Sequence, residues 1–154
     1  KKISVGAIKF ADFSADRRTG MLFDWDSIFS LTGFSGPYVQ YAAVRAKKIL
    51  RENLLTNNFA NFDYDFLAEK NLILKLLEYP GIVALATDKL EPHRVASYAF
   101  ELAKELNKYY EKTPVATAEV QPEIREKRLE VLLKVAEVFE SALDILGIEI
   151  PDKM

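Results

Sequence analysis

Residues 36–53 read GPYVQYAAVRAKKILREN, and this run decides the fold. Pro37 suits the first turn of an α-helix, where its missing N–H costs nothing, so the pattern predicts a helix opening at Gly36. Val39, Ala43, Ala46, Leu50 and Leu54 recur at steps of three and four and make an apolar stripe for burial. Rotated from that stripe stand Tyr38, Tyr41, Arg45 and Lys48. A helix that only packs has little use for aromatic and basic groups mixed on its outer face.

Downstream, the Asn-rich TNNFANF at 56–62 suits a loop, and Asp63 is placed to cap a helix running through LAEKNLILKLLEY until Pro80-Gly81 stops it. A short helix from Ile82 to about Thr87 follows. Glu91-Pro92 then opens HRVASYAFELAKELNKYYEK, in which Val95, Ala99, Leu102 and Leu106 keep helical spacing, with Tyr109 and Tyr110 near its end. After the loop TPVATAEVQ, Pro122 begins the longest helix. Leu129, Leu132, Ala136, Phe139, Leu143 and Leu146 are spaced for burial, and Gly147 supplies the left-handed cap. The tail is IEIPDKM.

Upstream of Gly36 the pattern changes. SVGAIKFADFS reads as the end of a helix, ADRRTG as a turn, and MLFDWDSIFSL as an aromatic, alternating, strand-like stretch. There is no internal repeat. The expected architecture is therefore all-α: a helical bundle over 36–154 carrying a short non-bundle segment over 1–35.

With 154 residues, 49% of them hydrophobic, the chain can bury one core. No run of about 18 apolar residues and no signal-peptide pattern is present, so a soluble, intracellular protein without membrane contact is expected. Cysteine is absent and His93 is the only histidine, which excludes disulfides and leaves little for zinc chemistry. The 21 basic and 23 acidic residues give a net charge of −2, which is not the footprint of a dedicated nucleic-acid binder. Phosphate contacts are local, however, and clusters weigh more than the sum.

No Gly-rich phosphate loop, H-E-x-x-H or G-x-S-x-G occurs, so independent catalysis is not expected. Asp24 and Asp26 flank Trp25 as D-x-D, which without a third ligand reads as a solvated edge or turn cap. His93, in a first helical turn, reads as a polar surface residue. Two candidate binding surfaces remain: Tyr38, Tyr41, Arg45 and Lys48 on one helix, and Lys108, Tyr109, Tyr110 and Lys112 on another. Rings interleaved with cations are what unstacked RNA bases require, the ring taking the base face while Lys or Arg neutralises phosphate. Against this stands a solvated face of snorkelling side chains.

The run FDWDSIFSLTGFSGPYVQYAAVR at 23–45 resembles the segment of arginyl-tRNA synthetases that follows the catalytic core, FDWD…EGNTGPYLQYAHAR. VGAIKFADFS at 5–14, LEPHRVASYAFELAKELNKYYEK at 90–112 and EKRLEVLLKVAEVFESALDILGIEIPDKM at 126–154 are similar to successive stretches of the same family, so that almost the whole chain is covered. The resemblance implies a helical anticodon-binding domain of the class I synthetase (DALR) type at 36–154. Residues 1–35 would then be the remnant of the connection from the catalytic domain.

The implied function is that of a fragment binding the anticodon stem-loop of an arginine tRNA. The fragment would be inactive alone and hold no cofactor. Its parent would be a cytoplasmic arginine–tRNA ligase using ATP and Mg2+. The catalytic domain of the same chain is the other implied partner, and the fragment is expected to be a monomer. Tyr41 and Arg45 match the family's QYAxxR positions, Tyr110 the tyrosine of its FYe pattern, and Met154 the methionine of its PerM ending. Tyr109 replaces the commoner Phe. The loop Gly33-Phe34-Ser35-Gly36 departs from the family's GNTG, with Phe34 where Asn is usual and Thr32 where an acid is usual, so the contact that loop makes in the family is not carried over.

A helical protein-interaction module without RNA contact is the alternative reading, and a related cysteinyl or glycyl anticodon domain fits GPYVQYAAVR less well. Were residues 1–35 to pack on a catalytic domain, Phe23, Trp25 and Phe29 would be exposed in the fragment and could drive dimerisation.

Overall fold

The structure, a computed structural model, describes residues 1–20, 23–53, 66–115, 117 and 120–154. Its elements are α1 (Lys2–Ser14), α2 (Trp25–Ile28), α3 (Gly36–Glu52), α4 (Lys70–Lys89), α5 (His93–Lys112) and α6 (Pro122–Ile145). No strand occurs among the described residues. Leu54, Asn-rich 56–62 and the expected cap Asp63 lie outside them.

The opening of α3 follows its sequence. Ser35 is extended and its hydroxyl accepts from the Tyr38 N–H, while Pro37 occupies the first turn. Val39, Ala43 and Ala46 are buried as the stripe requires, together with Ala42. On α5 the facing positions Ala96, Ala99 and Ala103 are also fully buried, and these small side chains let the two helices approach closely. Leu102, Leu106, Leu132, Phe139 and Leu143 fill the remaining core from α5 and α6.

The N-terminal stretch packs against this bundle. α1 lies on α3 and α5, and Phe10 joins the central core with no exposed surface. Two glycines permit the crossing: a Cβ on Gly36 would come within 2.9 Å of the Gly6 carbonyl oxygen, and one on Gly6 would overlap the Gln40 side chain. Gln40 is fully buried and its Nε2 donates to the Glu149 carbonyl at 2.8 Å and to the Lys2 carbonyl at 3.4 Å. Lys9 donates to the Gly147 carbonyl, at the left-handed glycine that ends α6.

Two expectations are corrected. The strand-like stretch contains a helical turn instead: Asp24 caps α2 by accepting from the backbone and hydroxyl of Ser27, so local capping overrides the alternation. Pro80 does not end its helix either, since α4 runs through it to Lys89 as one element. The proline faces solvent, while Leu76, Tyr79, Ile82 and Ala86 on both sides pack on the core. Just before it the Tyr98 hydroxyl donates to the Lys75 carbonyl and the Tyr79 hydroxyl to Ser141, both at 2.8 Å. These anchors offset the lost backbone hydrogen bond. No described helix is long and apolar enough to cross a membrane.

Candidate nucleic-acid interface

The aromatic-basic stripe of α3 divides in the structure. Tyr41, Arg45 and Lys48 are exposed, and Lys48 reaches Glu52 only at 3.8 Å. Tyr38 turns towards α5, where its hydroxyl accepts from Asn107 Nδ2 at 2.9 Å and its ring tilts against Phe100 with centroids 5.4 Å apart. Its role is to bridge the two helices.

The pair on α5 divides as well, because successive helical residues point about 100° apart. Tyr110 faces α3, and the Arg45 guanidinium lies over its ring, 4.2 Å from the centroid. Burial pushes the Tyr110 phenol well above its ordinary value, so it remains a neutral donor at physiological pH. Its oxygen is buried and has no hydrogen-bond partner among the described residues. Tyr109 is buried instead and donates from its hydroxyl to Glu69 at 2.7 Å. The Arg128 Nε donates to the same carboxylate oxygen at 3.2 Å. The expectation that Tyr109 offers a stacking face is corrected accordingly: its ring belongs to the core, where it carries a buried charge pair.

Lys108 and Lys112 stay at the surface, and the Glu105 carboxylate beside Lys108 raises that ammonium above its ordinary value. Met154 is 40% exposed at the end of a tail tied to α3 by Gln40 and by Arg51, whose guanidinium donates to the Asp152 carbonyl at 3.1 Å. Tyr41, Arg45 and Tyr110 thus form one continuous patch across α3 and α5, and Tyr38 stands behind it.

Sequence reasoning missed the neighbours of that patch. Phe100, Lys104 and Asn107 occur at helical spacing on α5, and Lys104 Nζ lies 5.5 Å from the Phe100 centroid. Phe34 packs in edge contacts against Phe100 at 4.8 Å and Phe10 at 5.4 Å. Their spacing was visible, but as aromatics on an amphipathic helix they were indistinguishable from core.

Asp24 has the capping role expected of it. Hydrogen bonds from the Ser27 hydroxyl and N–H hold its carboxyl below the usual carboxylate range. His93 is half-buried, with Nδ1 enclosed, so it is less exposed than a surface residue. No group of three or more potential ligands for a metal ion occurs among the described residues. On α2, Trp25 is 59% exposed and stacks on Phe29, with Phe23 edge-on at 4.7 Å.

Residues 39–154 match the family model described as the DALR anticodon binding domain. The chain is 35% identical over 156 residues to the arginine–tRNA ligase of Pseudoalteromonas translucida, and 40% identical over 153 residues to that of Streptococcus thermophilus. These alignments take in 100% and 99% of this chain, and 27% of each relative. The solved arginyl-tRNA synthetase of Thermus thermophilus superposes with a TM-score of 0.88 at 29% identity, over 99% of this chain and 27% of that one. The Plasmodium falciparum arginyl-tRNA synthetase shares the fold, with a TM-score of 0.84 at 22% identity over 99% of this chain and 27% of that one. The chain therefore spans about a quarter, 27%, of the length of the curated relatives it matches.

Proposed function

The chain belongs to the DALR anticodon-binding domain family of arginyl-tRNA synthetases, and on that premise we propose that it binds the anticodon stem-loop of an arginine tRNA on the patch formed by Tyr41, Arg45 and Tyr110. The observation that carries this reading is the Arg45 guanidinium lying over the Tyr110 ring, 4.2 Å from its centroid. Contact with the ring restrains the cation at the surface, where its N–H groups can meet a phosphate or the acceptor edge of a base. Tyr41, exposed one turn before Arg45, offers a ring for an unstacked base, a contact of roughly 1–3 kcal/mol. Lys48 adds charge along the same face, and Met154 would border the loop. Tyr38 supports the patch from behind and Tyr109 lies outside it.

In this reading residues 36–154 are the RNA-reading domain, and residues 1–35 connect it to the catalytic part of a longer cytoplasmic arginine–tRNA ligase that uses ATP and Mg2+. The reading domain by itself would be inactive and monomeric. The exposed Phe23, Trp25 and Phe29 rings favour a second, protein contact, made with that catalytic part rather than with RNA.

The test is binding of this chain to an arginine tRNA anticodon stem-loop, and to one with a replaced loop, at two salt concentrations. Preference for the native loop, weakening as salt rises, supports the reading. Binding indifferent to loop sequence, or none at millimolar concentration, refutes it.

A further inference from the structure

We propose that the outer face of α4 is a pairing surface for a second copy of this chain, docked antiparallel about a two-fold axis beside Tyr79. The inference is independent of the RNA reading above, since the patch of Tyr41, Arg45 and Tyr110 lies on α3 and α5.

That face carries Lys70, Leu74, Leu77, Gly81, Ala84 and Asp88, all exposed. Their steps of four, three, four, three and four are those of the a and d positions of a heptad, so they form one seam along the helix. Leu74 is 51% and Leu77 71% exposed, while Leu72, Tyr79 and Ala86 already hold the other side of α4 to the core. Nothing within the described chain asks for a glycine at 81: a Cβ there would meet no other part of it within 4 Å. A mid-helix glycine otherwise only weakens its helix.

The order of the seam selects its occupant. Leu77 and Gly81, Leu74 and Ala84, and Lys70 and Asp88 are pairs each centred on Tyr79. In an antiparallel pair the a positions of one helix lie opposite the d positions of the other, so a second copy turned about that centre meets every residue with its complement, and each contact is made twice. Leu77 enters the gap at Gly81, Leu74 lies beside Ala84, and Lys70 beside Asp88. Large against small lets two helices interdigitate, whereas a parallel copy would set Lys70 against Lys70 and Leu77 against Leu77. Charge points the same way. Lys70 opens α4 and Asp88 stands in its last turn, the ends at which the dipole of their own helix disfavours each, and an antiparallel neighbour presents the opposite end to both. Asp88 pairs with Lys89 at 3.0 Å, and its side chain remains 69% exposed. A contact confined to one helix, about 30 Å long, stays below the roughly 1,200 Å² of stable interfaces. The chain is therefore monomeric when dilute and pairs at roughly 0.1 mM and above.

Sedimentation velocity of this chain between about 0.01 and 1 mM reads the pairing, and the average mass should climb towards that of two chains. Leu77→Glu and Gly81→Gln should each hold the chain monomeric throughout, the first by burying charge and the second by filling the gap. Gly81→Gln should keep or raise the melting temperature, which separates a lost contact from a lost fold. Lys70→Glu and Asp88→Lys should each weaken pairing roughly 3- to 10-fold, and the two together should restore it, as only an antiparallel seam allows. Trp25→Ser, in the other exposed apolar cluster, should leave pairing unchanged. Association that survives Leu77→Glu and Gly81→Gln but is lost in Trp25→Ser would move the contact to the rings of α2 and overturn the assignment. A double charge reversal that fails to restore pairing overturns the antiparallel register. A mass that stays that of one chain over the whole range overturns the pairing itself and leaves the α4 seam to another part of the longer parent.

Discussion

Arg45 and Tyr110 hold each other: the guanidinium sits 4.2 Å from the ring centroid, joining the middle of α3 to the last turn of α5. Removing either partner therefore disturbs the other. Arg45→Lys keeps the charge but loses the flat fork, so it should weaken stem-loop binding about as much as Arg45→Ala, each by roughly tenfold. Full retention of affinity by the lysine variant would reduce Arg45 to a point charge. Tyr110→Phe removes a buried hydroxyl without a partner among the described residues, so the free chain should be as stable as before or slightly more so. Denaturant melts check this, and a loss of RNA affinity in the same variant would show that the phenol bonds to the ligand.

Glu69 has no exposed surface and takes hydrogen bonds from Tyr109 and Arg128. Glu69→Ala removes the buried acceptor that Tyr109 and Arg128 share, and should destabilise the chain by about 3 kcal/mol. Urea unfolding measures it. A change below about 1 kcal/mol would mean that the pair contributes little beyond its replacement by water.

Glu91 gives the fold an acid limit. Its carboxylate accepts from Arg94 and pairs with Arg18 at 3.1 Å, and the Arg94 hydrogen bond is the main cause that holds it below its ordinary value. Arg18 likewise holds Asp16 well below the usual range. For a carboxyl depressed in the folded state, the stabilisation is complete above its unfolded value of about 4.3 and is lost as pH falls through the folded value. The melting temperature should therefore be flat near neutrality and drop below about pH 4. Glu91→Gln should flatten that drop, and an unchanged acid profile in this variant would contradict the assignment.

Leu90 closes α4 with a left-handed backbone at φ 53° while its side chain is 65% exposed. Leu90→Gly relieves that conformation without uncovering a core and should stabilise the chain by up to about 1 kcal/mol, raising the melting temperature by about 2–4 °C. A lowered melting temperature would show that the exposed leucine still packs.

Helices α3, α5 and α6 were legible because prolines open or precede them and apolar residues keep helical spacing. Where the structure departs from the sequence, the deciding information is non-local for Pro80 and Tyr109 and a local cap for residues 23–31. Pro80 looked like a stop, yet tertiary anchors from Tyr98 and Ser141 carry the helix past it. Residues 23–31 alternate like a strand, but the bonds between Asp24 and Ser27 are worth more to an exposed segment than the pattern. Tyr109 and Tyr110 looked equivalent as adjacent rings between lysines. Only the direction of α5 relative to α3 and α4 sends one to Glu69 and the other to Arg45. Tyr41 and Arg45 were readable from their shared stripe, whereas Phe34 was not, since its grip by Phe10 and Phe100 depends on how α1 docks.

That docking governs how the molecule assembles in time. Contacts between α4 and α5 or between α5 and α6 close short loops and can form early, as in other helical chains. The bond from Lys9 to Gly147 spans 138 residues, and the Gln40 bond to Glu149 spans 109. Both must wait until the intervening helices are in place, because closing such long loops costs entropy before any contact returns it. Refolding should accordingly show a fast phase that builds most of the helix signal, then a slower one in which the two ends of the chain settle together against α3. The patch of Tyr41 and Arg45 on α3, proposed above to meet RNA, matures with that last phase.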